Sequence, residues 1–119
     1  MLLVEDNVAN QHVALTMLRR LGLDADLAEN GQVALDYLRE APYDVVFMDV
    51  QMPVLDGIEA TRQLRAAPHQ FGSPYVIGLT ANALATDRER CLAAGMDEHV
   101  PKPVRKRTLA DVLARAQLG

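Results

Sequence analysis

Glu5 and Asp6, Asp49 and Lys102 each follow a short apolar run that is typical of a β-strand. In a parallel α/β sheet the carboxyl ends of the strands lie along one edge, where ligands bind, so we expect these four side chains to meet there. Three neighbouring carboxylates repel one another unless a cation lies among them. Carboxylate oxygens suit Mg²⁺, which keeps several waters and takes phosphate oxygens as further ligands. The pattern predicts a site for magnesium and a phosphoryl group.

Asp49 is the residue that could carry the chemistry of such a site. A carboxylate can attack phosphorus and form an acyl phosphate when a cation lowers its repulsion with the incoming phosphoryl group. Lys102 lies between Pro101 and Pro103, which stiffen the backbone and would direct its ammonium group at the phosphoryl oxygens. The sequence therefore predicts an aspartyl phosphoacceptor.

Each of these residues also has a purely structural interpretation. Asp49 could simply begin a turn, and Glu5 or Asp6 could cap a helix that begins near Val8. Lys102 could be a solvated surface charge, as most lysines are. Their joint placement after strands favours the shared site over these separate roles.

Short apolar runs alternate with segments of helical periodicity along the whole chain. The runs typical of buried strands are Met1 to Val4, Val45 to Met48 and Tyr75 to Leu79, and Asp24 to Ala28 and Glu98 to Val100 are typical of edge strands. Two segments with apolar residues at helical spacing end at Gly22 and Pro42. Two more lie near Leu84 to Ala94 and Leu109 to Ala116. Five βα units with these edges predict an α/β, flavodoxin-like three-layer sandwich with strand order 2-1-3-4-5. We expect one domain over residues 1–119.

Composition excludes several classes of function. The net charge of -4 and the pI near 5.2 disfavour nucleic-acid binding, which needs clustered lysine and arginine. Arg105 to Arg107 form a basic run, which we interpret as a solvated helix face or, alternatively, a protein-docking patch. No apolar stretch approaches the roughly 20 residues that span a bilayer, so we expect no membrane contact. The single Cys91 favours a reduced structural thiol in the cytoplasm.

Five segments together resemble the receiver domain of two-component response regulators, over essentially the whole chain. They are Leu3 to Asn7, Met48 to Pro53, Asp56-Gly57, Leu79 to Ala81 and Lys102-Pro103. The amino acids at positions 4–11 and 94–97 further resemble those of receivers attached to hybrid sensor histidine kinases. The first strand begins at Met1, which favours a domain taken from a longer protein.

The resemblance implies a role for each site residue. Mg²⁺ would be bound by Asp6, Asp49 and the backbone carbonyl of Gln51, with Glu5 acting through water. The hydroxyl of Thr80 would turn inward to donate a hydrogen bond to the phosphoryl group, although Thr80 could instead be only a helix N-cap. We assign structural roles to three further residues, Asp56 as a helix cap, Gly57 in a turn, and Pro103 beside the lysine.

The resemblance also implies partners. The phosphodonor would be a histidine kinase or a histidine phosphotransfer domain, and a downstream protein would bind the face of the fourth helix, fifth strand and fifth helix. His99 stands where receivers usually carry a tyrosine or phenylalanine that moves with the threonine. We leave two interpretations open, a switching residue and an exposed edge-strand histidine.

Other functions fit the same residues less well. A phosphatase of the haloacid dehalogenase type carries a second aspartate two residues after its nucleophile, where this chain has Gln51, which cannot shuttle protons. A flavodoxin-like electron carrier needs a phosphate-binding first loop, whereas Glu5 and Asp6 repel phosphate. A scaffolding pseudo-receiver would usually have lost an acidic residue or the lysine. The sequence favours a phosphoacceptor switch that is not itself an enzyme.

Overall fold

The computed structural model describes residues 1–50, 54–80, 85–102 and 105–116. Its five strands are β1 (Leu2–Val4), β2 (Asp26–Ala28), β3 (Val45–Asp49), β4 (Tyr75–Thr80) and β5 (Glu98–Pro101). Its helices are α1 (Val8–Arg20), α2 (Gly31–Glu40), α3 (Gly57–Ala66), α4 (Pro68–Phe71), α5 (Ala85–Ala94) and α6 (Lys106–Ala116). The strands form one parallel sheet in the order β2-β1-β3-β4-β5, so the predicted order is confirmed.

The sheet has a hydrophobic core on each face, as the three-layer prediction requires. One core joins the sheet to α2, α3, α4 and α5, and the other joins it to α1 and α6. Alternate residues of a strand point to opposite faces, so Val4 packs in the first core and Leu3 in the second. Among the described residues, no helix combines the length and apolarity needed to cross a membrane.

The short helix α4 was not predicted, since five helices were expected. Pro68 is its first residue, where the missing N–H costs nothing because the first N–H groups of a helix have no intrahelical partner. Phe71 is buried against the first core, which holds this turn against α2 and α3. The helix predicted as the fourth is therefore α5, and the one predicted as the fifth is α6.

The strand register brings the ends of the strands to one edge. Val4 is opposite Met48, Asp49 is opposite Leu79, and Thr80 is opposite Pro101. Residues that directly follow these pairs must therefore lie side by side, because parallel strands in register end at the same edge. The fold places Glu5, Asp49, Thr80 and Lys102 there.

The carboxyl-terminal end of α5 is anchored to neighbouring elements. The Asp97 carboxylate accepts hydrogen bonds from the Val76 N–H at 2.8 Å and from the Arg65 guanidinium at 2.9 Å. Arg65 also donates to the carbonyl oxygen of Gly95 at 2.9 Å. These bonds tie the turn after α5 to α3 and β4, far from the carboxyl edge of the sheet.

Candidate functional site

The loop after β1 is held by hydrogen bonds to its backbone, and the Glu5 carboxylate also accepts from the Asp6 N–H at 3.0 Å. The Glu5 N–H donates to the Ala28 carbonyl at 3.0 Å, and the Gln11 side chain donates to the Glu5 carbonyl at 2.7 Å. Asn7 is the N-cap of α1, with its side-chain oxygen accepting from the Asn10 N–H at 3.0 Å. The cap is thus Asn7, and neither Glu5 nor Asp6 fills that structural role. Sequence reasoning missed Asn7, although asparagine is among the best capping residues.

Two buried carboxylates share one lysine at the sheet edge. Glu5 and Asp49 are each 2% exposed. The Lys102 Nζ lies 3.0 Å from a Glu5 carboxylate oxygen and 2.9 Å from Asp49 Oδ1. The Lys102 N–H donates to the Thr80 carbonyl at 2.7 Å, which fixes the backbone from which the ammonium group reaches inward. Lys102 is therefore part of this cluster, not a solvated surface charge.

Three carboxylates are close enough to hold one cation. One oxygen from each of Glu5, Asp6 and Asp49 lies within 4.8 Å of the others, with Asp6 exposed and the other two buried. All the donors are hard oxygens, which suits Mg²⁺ with waters completing its shell. The residues present thus fit the ion, whereas Gln51, whose carbonyl was expected as a ligand, lies outside the described residues.

Within this cluster, Asp49 binds a proton more readily than an ordinary aspartate does. Burial, together with the hydrogen bond and charge of Glu5, raises the pKa of Asp49 to about 7, against the opposing effect of Lys102. Burial also pushes the pKa of Glu5 upward, but its bonds to Asp49 and Lys102 outweigh this, and the pKa is lowered. Both carboxylates raise the pKa of Lys102 despite its burial. Lys102 therefore faces both acids, and a further cation would favour the ionised form of Asp49.

Thr80 and His99 lie on the strands next to this cluster. Thr80 is 4% exposed and is the last residue of β4, and residues 81–84, between it and Ala85 of α5, lie outside the described residues. His99 is half-buried on the edge strand β5, opposite Gly78. It lines a groove on the outer side of the sheet with Arg88 and Leu92.

The described part of the loop after Asp49 contains a strained residue. Val54 has φ of 69° and is 82% exposed, an unusual conformation for a β-branched side chain. Asp56 is the N-cap of α3, with its side chain accepting from the Glu59 N–H at 2.8 Å. Gly57 was expected in a turn but is the first residue of α3. Pro103 lies outside the described residues.

Comparison with known proteins identifies the class to which this fold and site belong. The model of the response regulator receiver domain family matches residues 1–114. The chain belongs to this family, and the resemblance found in the sequence is confirmed. It is therefore a receiver domain of two-component phosphorelay signalling.

Several relatives are parts of longer histidine kinases. Hybrid signal transduction histidine kinase K of Dictyostelium discoideum is 37% identical over 121 residues, which cover 97% of this chain and 10% of the relative. The chain spans between 5% and 12% of the length of the curated relatives that it matches.

Two solved structures show the same fold with a metal or a partner. The receiver domain of sensor histidine kinase PA1611 from Pseudomonas aeruginosa, with magnesium in its active-site cleft, is 45% identical with a TM-score of 0.87, covering 96% of this chain and 93% of that one. The receiver domain of Ssk1, in complex with the histidine phosphotransfer protein Ypd1 of Saccharomyces cerevisiae, is 33% identical with a TM-score of 0.88, covering 98% and 90%.

The raised pKa of Asp49 predicts how stability depends on pH in the absence of Mg²⁺. An acid with a higher pKa in the folded than in the unfolded state keeps its proton longer when folded, so stability falls as pH rises from about 4 to about 7. Glu5 does not make the free energy of unfolding depend on pH above about pH 5, because its lowered pKa leaves it ionised there. Asp49→Asn lacks the titrating group, so from pH 5 to 8 we expect its free energy of unfolding to fall less than that of the parent chain, by about 1 kcal/mol or more.

Urea unfolding in EDTA, followed by circular dichroism at several pH values, measures this difference. The matched control is Asp56→Asn, which keeps the α3 cap and should retain the parent pH profile. Parallel profiles for the parent and Asp49→Asn would contradict the prediction.

Proposed function

We propose that the domain, residues 1–119, accepts a phosphoryl group from a phosphohistidine onto Asp49 and converts the new charge into altered partner binding. The observation that carries the proposal is the buried Asp49 carboxylate, 2.9 Å from the Lys102 ammonium and within 4.8 Å of Glu5 and Asp6. The location we propose is the cytoplasm, where kinases use ATP to form phosphohistidine.

The reaction needs few groups from the protein. An Asp49 carboxylate oxygen attacks phosphorus, the phosphorus–nitrogen bond breaks, and its electron pair returns to the imidazole, which leaves neutral when its other nitrogen carries a proton. Lys102 contacts the transferred phosphoryl oxygens and offsets their charge. Asp6, Asp49 and the Gln51 carbonyl would hold Mg²⁺, with Glu5 acting through water. When bound, the ion supplies positive charge that favours ionised Asp49 and neutralises the phosphoryl group.

The product should persist long enough to act as a signal. Rapid hydrolysis would need a general acid and base beside Asp49, and Gln51 at the second position after it cannot exchange protons near neutral pH. The domain then assists only its own phosphorylation and dephosphorylation and is not a phosphatase. A scaffolding pseudo-receiver is the remaining alternative. It differs from the proposed phosphoacceptor in that its Asp49 would not be phosphorylated.

Incubation with acetyl phosphate and Mg²⁺ should add one phosphoryl group to the parent chain, detected by intact mass. Asp49→Asn should show no adduct because its amide is not a nucleophile toward phosphorus. Asp56→Asn, a control seven positions along, should still be phosphorylated, and EDTA should abolish the reaction. An adduct on Asp49→Asn, or none on the parent, would sink the proposal.

Exposed apolar side chains beside the site support a protein as the phosphodonor. Val8 is 75% exposed at the start of α1, Val13 is 43% exposed, and Val54 is 82% exposed. Val13 also lines the cleft that leads to Glu5 and Lys102. Apolar groups exposed around a reactive residue favour docking of another protein over access by small solutes alone. We propose a histidine kinase or histidine phosphotransfer domain, the kind of partner in the Ypd1–Ssk1 complex.

We expect Val8→Ser and Val13→Ser each to slow phosphotransfer from a phosphorylated phosphotransfer protein, such as Ypd1, by about fivefold or more, the effect of losing one apolar anchor. Their phosphorylation by acetyl phosphate should stay unchanged, because the carboxylates and lysine are untouched. Leu92→Ser is the control, since Leu92 is 42% exposed but lies on α5. Equal slowing with both donors would refute a docking role.

The downstream face that we propose consists of α5, β5 and α6. A phosphoryl charge of about -1.5 to -2 beside Thr80 and Lys102 favours any conformer that brings their donors inward. The Arg65–Asp97 ion pair holds the carboxyl-terminal end of α5, so we expect the amino-terminal end of this helix to move more.

Addition of beryllofluoride, a phosphoryl mimic, with Mg²⁺ should therefore shift the amide resonances of residues 85–90 and His99. Residues 95–97 at the anchor and most of 10–38 should change little. The comparison uses ¹⁵N–¹H spectra with and without the mimic, and Asp49→Asn as the unresponsive control. Shifts confined to the immediate surroundings of Asp49 would argue against this face.

A further inference from the structure

The start of α2 touches the loop that follows Asp49. The Gly31 N–H donates to the carbonyl oxygen of Leu55 at 3.1 Å. A Cβ on Gly31 would lie 2.4 Å from that oxygen and 3.0 Å from the Cβ of Ala60. These distances are too short for any side chain, so glycine is required here by the close approach of two backbones.

The same loop also presses on the backbone of Asp49. The Gly57 N–H donates to the Val50 carbonyl at 3.1 Å. A Cβ on Gly57 would lie only 2.0 Å from the Asp49 carbonyl oxygen. A continuous series of backbone contacts thus runs from Gly31 through Leu55 and Gly57 to Asp49.

The loop is the softer side of this contact. The α2 side chains Ala34, Leu35 and Leu38 are 0%, 0% and 2% exposed, so α2 is fixed in the core, and Ala60 of α3 is 0% exposed. Leu55, by contrast, is only partly buried against the same core, and its neighbour Val54 is 82% exposed with φ of 69°. A methyl group added at position 31 would therefore displace Leu55 and its neighbours before it displaced α2.

We propose that Gly31 is a positioning residue for the magnesium and phosphoacceptor site, acting through Leu55 and Gly57 on the backbone at Asp49. This inference rests on the proposed function. Gly31 lies against Leu55 and Ala60 and not against the carboxylates, so its effect is on the placement of Leu55, Gly57 and the Asp49 backbone. Groups that orient metal ligands from behind typically cost about 10- to 100-fold in metal affinity when they are lost.

The test compares Gly31→Ala with the parent chain by titrating Mg²⁺ and following amide resonances. We expect Gly31→Ala to bind Mg²⁺ roughly tenfold more weakly, as for other losses of support behind a metal ligand. Without Mg²⁺, its amide shifts should differ from those of the parent at Leu55, Gly57 and Asp49. The rate of phosphorylation by acetyl phosphate should fall in parallel.

Gly22→Ala and Gly72→Ala are the matched controls. Both glycines have positive φ, 79° and 75°, and a Cβ at either position would meet no atom within 4 Å. Alanine there strains the backbone and lowers the melting temperature without touching the loop. These two variants should keep the parent affinity for Mg²⁺, which separates general destabilisation from loss of positioning.

Asn30→Ala provides a second test if Gly31→Ala does not fold. Asn30 caps α2 by accepting from the Val33 N–H at 3.0 Å, so its loss loosens the start of α2 without a steric clash. It should weaken Mg²⁺ binding more than the glycine controls do. A folded Gly31→Ala, or failing that Asn30→Ala, with an affinity within about twofold of the parent would overturn the positioning role alone. A parent chain that binds no Mg²⁺ would instead overturn the proposed function.

Discussion

The burial of two carboxylates beside a single ammonium group is the constraint on which this structure depends. Glu5 and Asp49 are almost fully covered, and in the part of the chain that the structure describes Lys102 is an ammonium group that contacts both. Removing charge from water without a matching countercharge is costly, which is why Asp49 retains its proton to an unusually high pH. The same imbalance makes the site receptive to a divalent cation. The burial of these acids therefore bears both on how stability depends on pH and on how well the site suits a divalent cation.

Much of this arrangement could be read from the sequence because parallel sheets gather their strand ends. Apolar runs located β1, β3 and β4, and the residues that follow them had to converge. Contacts between backbones were harder to foresee. Asn7 was missed as a cap because two acids beside it offered the same chemistry, and α4 was missed because a single turn has no periodicity to detect. Gly31 carries no local signal, since its need for glycine arises from Leu55, which is distant in the chain.

The two ends of the sheet differ in the residues that they carry. At the carboxyl edge, the buried acids Glu5 and Asp49 lie beside Lys102, and Asp6 is exposed next to them. At the opposite end, the Asp97 carboxylate joins α3, β4 and the turn after α5 through hydrogen bonds of 2.8 and 2.9 Å. Asp97 thus joins the turn after α5 to the sheet at the end that lies opposite the carboxyl edge.

The site is assembled from strands that lie far apart along the chain. Glu5 follows β1, Asp49 ends β3 and Lys102 follows β5, so no local segment contains all three side chains. A growing polypeptide on the ribosome cannot complete this constellation until almost all of the domain has emerged and the sheet has closed. The three side chains can therefore share one site only after the sheet has formed as a whole, so any event that interrupts folding of the domain also leaves the site incomplete.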